Sequence, residues 1–170
     1  MPRIHVCPLA RLAETAQATG ARSMVTLINP GTPVALPKGI EQDRYLRLSV
    51  ADIDAPVEDF VAPEESHVRA LLRFAHAWDR RAPLLIHCHA GVSRSTAAAL
   101  IAVCALNPTR EESEAAQALR EASPTATPNK LLIRIADTLM SRRGKLVAAV
   151  NAIGRGEDCY EGAPFAMELA

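Results

Sequence analysis

The chain carries no net charge, because 19 Lys and Arg residues stand against 19 Asp and Glu. It lacks the basic balance on which nucleic-acid binders rely, so a DNA or RNA clamp is not expected. No apolar run is long enough to cross a bilayer. The longest candidate, Ala97 to Leu106, reaches about half the roughly 20 residues that a spanning helix needs, and it reads instead as a buried helix. No long apolar stretch follows Arg3, so neither a secretory signal nor a membrane anchor is expected and the cytoplasm is the predicted compartment. The four cysteines, Cys7, Cys88, Cys104 and Cys159, form no C-x-x-C pair and no structural-zinc spacing, which points to free thiols. Internal repeats and linkers are also lacking. What is present is a chain of 170 residues, 49% hydrophobic and 22% charged, suited to a single core. The expected division is one domain over 1–155 and a C-terminal tail over 156–170.

Short β-favouring runs occur at Ile4–Val6 and Met24–Ile28, with Leu9, Leu12, Ala13 and Ala16 at helical spacing between them until Gly20. The turn cluster Asn29-Pro30-Gly31-Thr32-Pro33 precedes another strand, Tyr45 to Val50, which ends at Ala51-Asp52. From Pro63 to Arg80, the positions Val68, Leu71, Leu72, Ala75 and Trp78 share one helical face. Pro83 to His87 is the continuous apolar run expected of a central strand buried on both faces. Ser95 to Leu106 then reads as an Ala-rich helix that stops at Asn107-Pro108. Thr109 and Glu112 form a predicted capping box for a helix to Ala122, and Thr127-Pro128 open one through Met140. Lys145 to Ile153 is the last predicted helix, and Cys159 to Ala170 shows no pattern and is expected to be loosely ordered. The fold class is α/β: a mixed, largely parallel sheet of four or five strands flanked by helices.

The chemistry concentrates in His87-Cys88-His89-Ala90-Gly91-Val92-Ser93-Arg94-Ser95, between the central strand and the Ala-rich helix. The loop contains C-x5-R, a weak signal alone, as the decoy Cys104-x5-Arg110 demonstrates: it has no glycine, contains Pro108 and starts inside an apolar helix. Context distinguishes the first match. A strand feeding a glycine-containing turn and a helix N-terminus aims successive backbone N–H groups at one point and forms an oxyanion cradle. Cys88 at the start of that cradle, in the field of its N–H groups and Arg94, has its nucleophilic thiolate favoured. Arg94 offers two parallel donors to equatorial phosphoryl oxygens, a geometry that lysine cannot supply.

These nine residues resemble the signature loop of protein tyrosine phosphatases, closest to the dual-specificity branch of bacterial type. The likeness extends to the Ala-rich helix and to Pro128-Asn129, which resembles the P-N pair opening a late helix in that branch; it covers about Ile4 to Met140, loosely in the first third. The position of Cys88 argues against low-molecular-weight phosphatases, whose Cys lies near the chain start. The resemblance implies a metal-independent phosphoprotein phosphatase acting on phosphotyrosine, with phosphoserine and phosphothreonine as further candidates, through a cysteinyl-phosphate. It needs no cofactor, and its partners are phosphorylated proteins or peptides and phosphate-like anions. Cys88 is then the nucleophile, and Ser95 hydrogen-bonds the thiolate as it leaves. His89, Ala90, Gly91, Val92, Ser93 and Arg94 bind the phosphate, Gly91 lets the backbone approach it, and His87 braces Cys88. A general acid upstream is expected. Asp52 is the first choice, because Val50-Ala51-Asp52 resembles the strand-end V-x-D of the branch. The extra residues through Asp54-Ala55-Pro56 depart from that pattern and keep Asp54 as an alternative and Asp59 as a weaker one.

Three rival readings compete with this one. A phosphate-binding module would keep the cradle without turnover and would sense or sequester phosphoproteins. A thiol redox enzyme would need a resolving cysteine, and Cys104 lies 16 residues on, several helical turns from the loop. A zinc site from His87 and His89 with His67 or His76 fails on geometry, because adjacent residues at a strand end cannot all turn to one tetrahedral ion. The absence of Lys from the loop points away from a highly anionic inositol head group.

Overall fold

The computed structural model describes residues 2–169. Five strands, β1 (Arg3–Pro8), β2 (Ser23–Ile28), β3 (Tyr45–Ser49), β4 (Leu84–Cys88) and β5 (Phe165–Glu168), form one sheet in the order β3-β2-β4-β1-β5. The first four are mutually parallel and β5 runs antiparallel to β1, so the sheet is mixed and largely parallel. Six helices flank it: α1 (Leu12–Thr19), α2 (Glu65–Ala77), α3 (Arg94–Leu106), α4 (Glu112–Ala122), α5 (Lys130–Leu139) and α6 (Lys145–Ile153).

The two-residue period of the strands divides the core. Leu84, Ile86 and Cys88 of β4, with Val25 and Leu27 of β2 and Ile4 and Val6 of β1, enter the large cluster shared with α2 to α6. Leu85, Met24 and Cys7 point to the other face and join Leu12 and Ala16 of α1 in a smaller cluster. Each such aliphatic side chain contributes about 1.5–3 kcal/mol by leaving water. All five β4 residues are buried. Helix α3 is apolar nearly all round and buried along its length, as its Ala-rich sequence allows, and it packs on β1, β2 and β4. The junction of β4 with α3 therefore sits at the sheet's centre, where its position is fixed from both sides.

The structure departs from the sequence reading at several points, among them the end of α2 at Ala77 rather than Arg80. Helix α2 begins at Glu65, not Pro63, because Glu64 caps it: Glu64 and His67 satisfy one another's backbone N–H groups in a capping box. The predicted box of Thr109 and Glu112 does not form. Glu111 holds the cap position without a side-chain bond, and the buried Glu112 carboxylate accepts from Arg142 Nη1 at 2.9 Å. Helix α5 opens at Lys130, one turn later than Thr127-Pro128, because Asn129 Oδ1 accepts from Leu132 N at 2.9 Å and caps it. The segment expected to be loose supplies β5, with Met167 and Leu169 buried. Its strand character comes from pairing with β1, a partner more than 150 residues away in sequence.

Candidate active site

Residues 88–95 carry the chain from the C-terminal end of β4 into the first turn of α3. Four carbonyls of this loop accept from groups outside both the loop and α3. His89 O accepts from Leu9 N (3.0 Å), Ala90 O from Gly162 N (2.8 Å), Val92 O from Thr127 N (2.9 Å) and Ser93 O from Asn129 N (3.1 Å). Because a trans peptide unit points its C=O and N–H in opposite directions, this outer ring of bonds turns the N–H side of the loop inward. Accordingly, Gly91 N–H donates to Cys88 Sγ at 3.3 Å. The Ser95 hydroxyl lies 3.0 Å from the same sulfur, and both Cys88 and Ser95 are buried.

Gly91 is in the left-handed region at φ +69°, and a Cβ there would lie 2.8 Å from Pro8 N and 3.0 Å from Cys7 C. The glycine is therefore needed where the loop crosses the end of β1, whereas the expectation drawn from the resemblance put its role on the phosphate side. At the N-cap of α3, Ser93 makes no capping bond and the first turn contains no acidic residue. The helix dipole and its free N–H groups are thus available to an anion.

Arg94 extends from that first turn and is buried. Its Nη1 donates to Asn29 Oδ1 at 2.7 Å and to Val50 O at 2.9 Å. Its Nε, also buried, has no partner among the described residues. An unsatisfied buried donor of this kind costs about 1–3 kcal/mol, and an anion would remove that cost.

His87 is fully buried behind the loop. Its Nδ1 lies 3.2 Å from Cys88 O and its Nε2 2.7 Å from Thr26 Oγ1, which in turn accepts from Tyr45 OH at 3.2 Å. The carbonyl only accepts, so the consistent tautomer carries its proton on Nδ1 and accepts from Thr26 at Nε2. Burial pushes the ring down to about 4, aided by the charges of Arg47 and Arg94 and opposed by its bond to the Cys88 backbone. The brace is on the Cys88 backbone. His67 serves the α2 cap and the His76 ring contacts Leu72 O, so these histidines do not converge with His87. Among the described residues, no three His, Cys, Asp or Glu side chains gather at metal-binding distance.

Of the three candidate acids, Asp52 is the one the structure brings to the loop. Its Oδ1 accepts from Ser93 Oγ at 2.6 Å and from Asn129 Nδ2 at 2.9 Å. The extra residues do not displace it: Ala51 N donates to Val61 O at 2.8 Å, which closes the intervening segment into a projecting loop with Val57, Phe60 and Val61 exposed. Asp54 is exposed and is held by its backbone, with its carbonyl accepting from Arg134 at 2.7 Å. Asp59 lies on the exposed part of the projecting loop, with φ +66°. A groove of about 410 Å³ adjoins the site, lined by Asp52 to Ala55, Val57, Ser93 and Thr127 to Lys130. Sequence reasoning missed Asn29, Thr26 and Gly162 as site residues. Asn29 was visible only as a turn residue, and Asn129 only through its P-N pair.

Comparison with known proteins identifies the family and the fold. A family model described as Tc-R-P, polymorphic toxin system, DSP-PTPase phosphatase, matches residues 10–106. The chain belongs to this family. It is accordingly a protein phosphatase of the protein-tyrosine and dual-specificity class. Among solved structures, human DUSP28 is similar with a TM-score of 0.62 and 22% identity, over 82% of this chain and 89% of its own. DUSP15 gives 0.63 and 19%, over 90% and 91%. The human tyrosine phosphatase-like serine/threonine/tyrosine-interacting protein gives 0.64 and 15%, over 82% and 92%. At these identities the likeness concerns the fold, and all three cover most of both chains. No curated protein matches the sequence. No helix among the described residues is long and apolar enough to cross a membrane.

Proposed function

We propose that this phosphatase hydrolyses phosphotyrosine, with phosphoserine and phosphothreonine as further substrates, through a phosphocysteine on Cys88. The observation that carries the reading is the setting of one sulfur. Cys88 Sγ meets Gly91 N–H and the Ser95 hydroxyl in a loop whose N–H groups face inward, beside an arginine whose buried Nε has no partner among the described residues. That is a site for a dianion in contact with a nucleophile.

In the first step, Sγ attacks phosphorus as the bond to the leaving oxygen breaks, and Asp52 gives its proton to that oxygen. In the second, the Asp52 carboxylate takes a proton from water, and the water oxygen displaces Sγ to release inorganic phosphate. The Ser95 hydroxyl then donates to the returning thiolate. Arg94 and the N–H groups of residues 89–94 hold the equatorial oxygens through both steps. Asp52 is preferred to Asp54 because its carboxylate is bonded to the cradle residue Ser93.

The test is hydrolysis of an aryl phosphate in EDTA by the wild-type protein and by Cys88→Ser, followed by phosphopeptides carrying each phosphoresidue. Turnover lost in the variant, with acid-quench trapping of phosphate on wild-type Cys88, supports the mechanism. A folded wild type that binds phosphopeptides without turnover would favour the phosphate-binding module.

A further inference from the structure

We propose that the C-terminal segment joining α6 to β5 positions the catalytic loop, with Gly162 setting the peptide plane that presents an N–H to Cys88. The inference rests on the reading of Cys88 as nucleophile. It concerns residues outside the 10–106 stretch matched by the family model.

The segment is secured at successive points along its length. Arg120 Nη2 donates to Gly154 O at 2.8 Å, Gly156 N to Thr127 Oγ1 at 3.0 Å and Glu157 N to Pro124 O at 2.9 Å. Residues 157–161 are then exposed, and the chain is buried again at Gly162. There its N–H donates to Ala90 O at 2.8 Å. The contact is tight: a Cβ on Gly162 would lie 3.1 Å from Gly91 O and 3.3 Å from Thr125 Oγ1, so a side chain there makes its neighbours give by a few tenths of an ångström.

Ala90 O and Gly91 N–H belong to the same peptide unit. Because the unit is planar and trans, they point in opposite directions and turn together. One end is held by Gly162 at 2.8 Å and the other donates to Cys88 Sγ at 3.3 Å. If the outer bond is lost, the plane is free to rotate. Rotation withdraws a donor from the sulfur and brings a carbonyl oxygen toward it, which disfavours both the thiolate and a bound phosphoryl group. Gly162 is thus a positioning residue that acts through Ala90 and Gly91.

Gly162→Pro removes the N–H and is the direct test, read by the rate at which iodoacetamide alkylates Cys88 relative to the exposed Cys159 in the same molecule. This ratio is expected to fall about tenfold, with a similar fall in kcat/KM and weaker protection of Cys88 by inorganic phosphate. Met167→Ala, which trims a buried β5 side chain away from the loop, is expected to lower the melting temperature and leave the ratio within about twofold. An unchanged ratio in a folded Gly162→Pro protein, or an equal fall in Met167→Ala, overturns the proposal. If Gly162→Pro does not fold, Gly162→Val decides: its branched side chain, starting 3.1 Å from Gly91 O, must move the segment off the loop and lengthen the bond to Ala90 O, and an unchanged ratio there overturns the proposal. A wild-type protein without turnover would instead count against the mechanism proposed above, whatever the alkylation ratio of the variants.

Discussion

Asn129 Nδ2 donates to Asp52 Oδ1 across 2.9 Å, while Asn129 Oδ1 caps α5 through Leu132 N. One amide thereby joins the candidate acid to a helix end, and its backbone N–H also holds Ser93 O of the catalytic loop. An acid is effective only if its carboxyl group is kept within reach of the leaving oxygen, and this residue links Asp52 to both the loop and the start of α5. Asp52→Asn is therefore expected to lower kcat on a phosphoserine peptide by about 10²- to 10³-fold and on an activated aryl phosphate much less, since a good leaving group needs no proton. Asp54→Asn leaves both rates near wild type. Asn129→Ala falls between, at about tenfold in kcat. Equal losses on both substrates would remove Asp52 from the acid role.

Two glycines share φ +69° but differ in surroundings. Gly20, which ends α1, has open space where a Cβ would go, whereas Gly91 faces Pro8 N at 2.8 Å. Gly20→Ala is expected to destabilise by about 1 kcal/mol, the cost of the backbone conformation alone. Gly91→Ala adds displacement of the loop from β1 and is expected to cost about 3 kcal/mol or more and to abolish turnover. Chemical denaturation of the two variants beside the wild type reads the difference.

The buried neutral His87 gives stability an acid limb. Its folded pKa of about 4 lies below the unfolded value near 6.5. Well above pH 6.5 both states are neutral and the contribution is fully present. As pH falls toward 4, the unfolded chain takes the proton first, so stability is lost, by about 3 kcal/mol at the end of that window. His87→Gln removes this limb. The unfolding free-energy difference between wild type and variant, measured in urea, is expected to shift against the wild type between pH 7 and pH 4, and a constant difference would contradict the assignment.

The four thiols should separate by environment. Burial pushes Cys7 up to about 12 and Cys104 up to about 11. Cys159 is exposed. Iodoacetamide at neutral pH is expected to label Cys159 and Cys88 in the native protein, with phosphate protecting Cys88 only, and to reach Cys7 and Cys104 after unfolding. Mass spectrometry of the labelled peptides reads the order directly. Native labelling of Cys104 would reopen its candidacy as a resolving thiol.

The parts of the fold legible in the sequence are those with local causes. The run Pro83 to His87 reads as a central strand because Leu84, Leu85 and Ile86 offer apolar side chains to both faces, and β4 is third of five. The loop is legible because Cys88, Gly91, Arg94 and Ser95 serve one contiguous structure. Features that depend on distant partners were hidden. Phe165 to Glu168 becomes a strand because β1 offers it an edge, and Glu112 leaves its expected capping role because Arg142, 30 residues later, takes its carboxylate. Asn29 looks like any turn asparagine until Arg94, 65 residues on, donates to it. Gly162 has no local signal at all, since its role depends on the carbonyl of Ala90.

The pairing of β5 with β1 has a topological consequence. Arg3 stands opposite Glu168 in the antiparallel register, and the two side chains form an ion pair at 2.7 Å. Residues so paired sit about 5 Å apart, so both ends of the folded unit emerge side by side at one corner of the sheet. A unit with adjacent ends can be spliced into a surface turn of another protein without separating the flanks of that turn, and its own ends can be joined by a short linker if the chain is opened elsewhere.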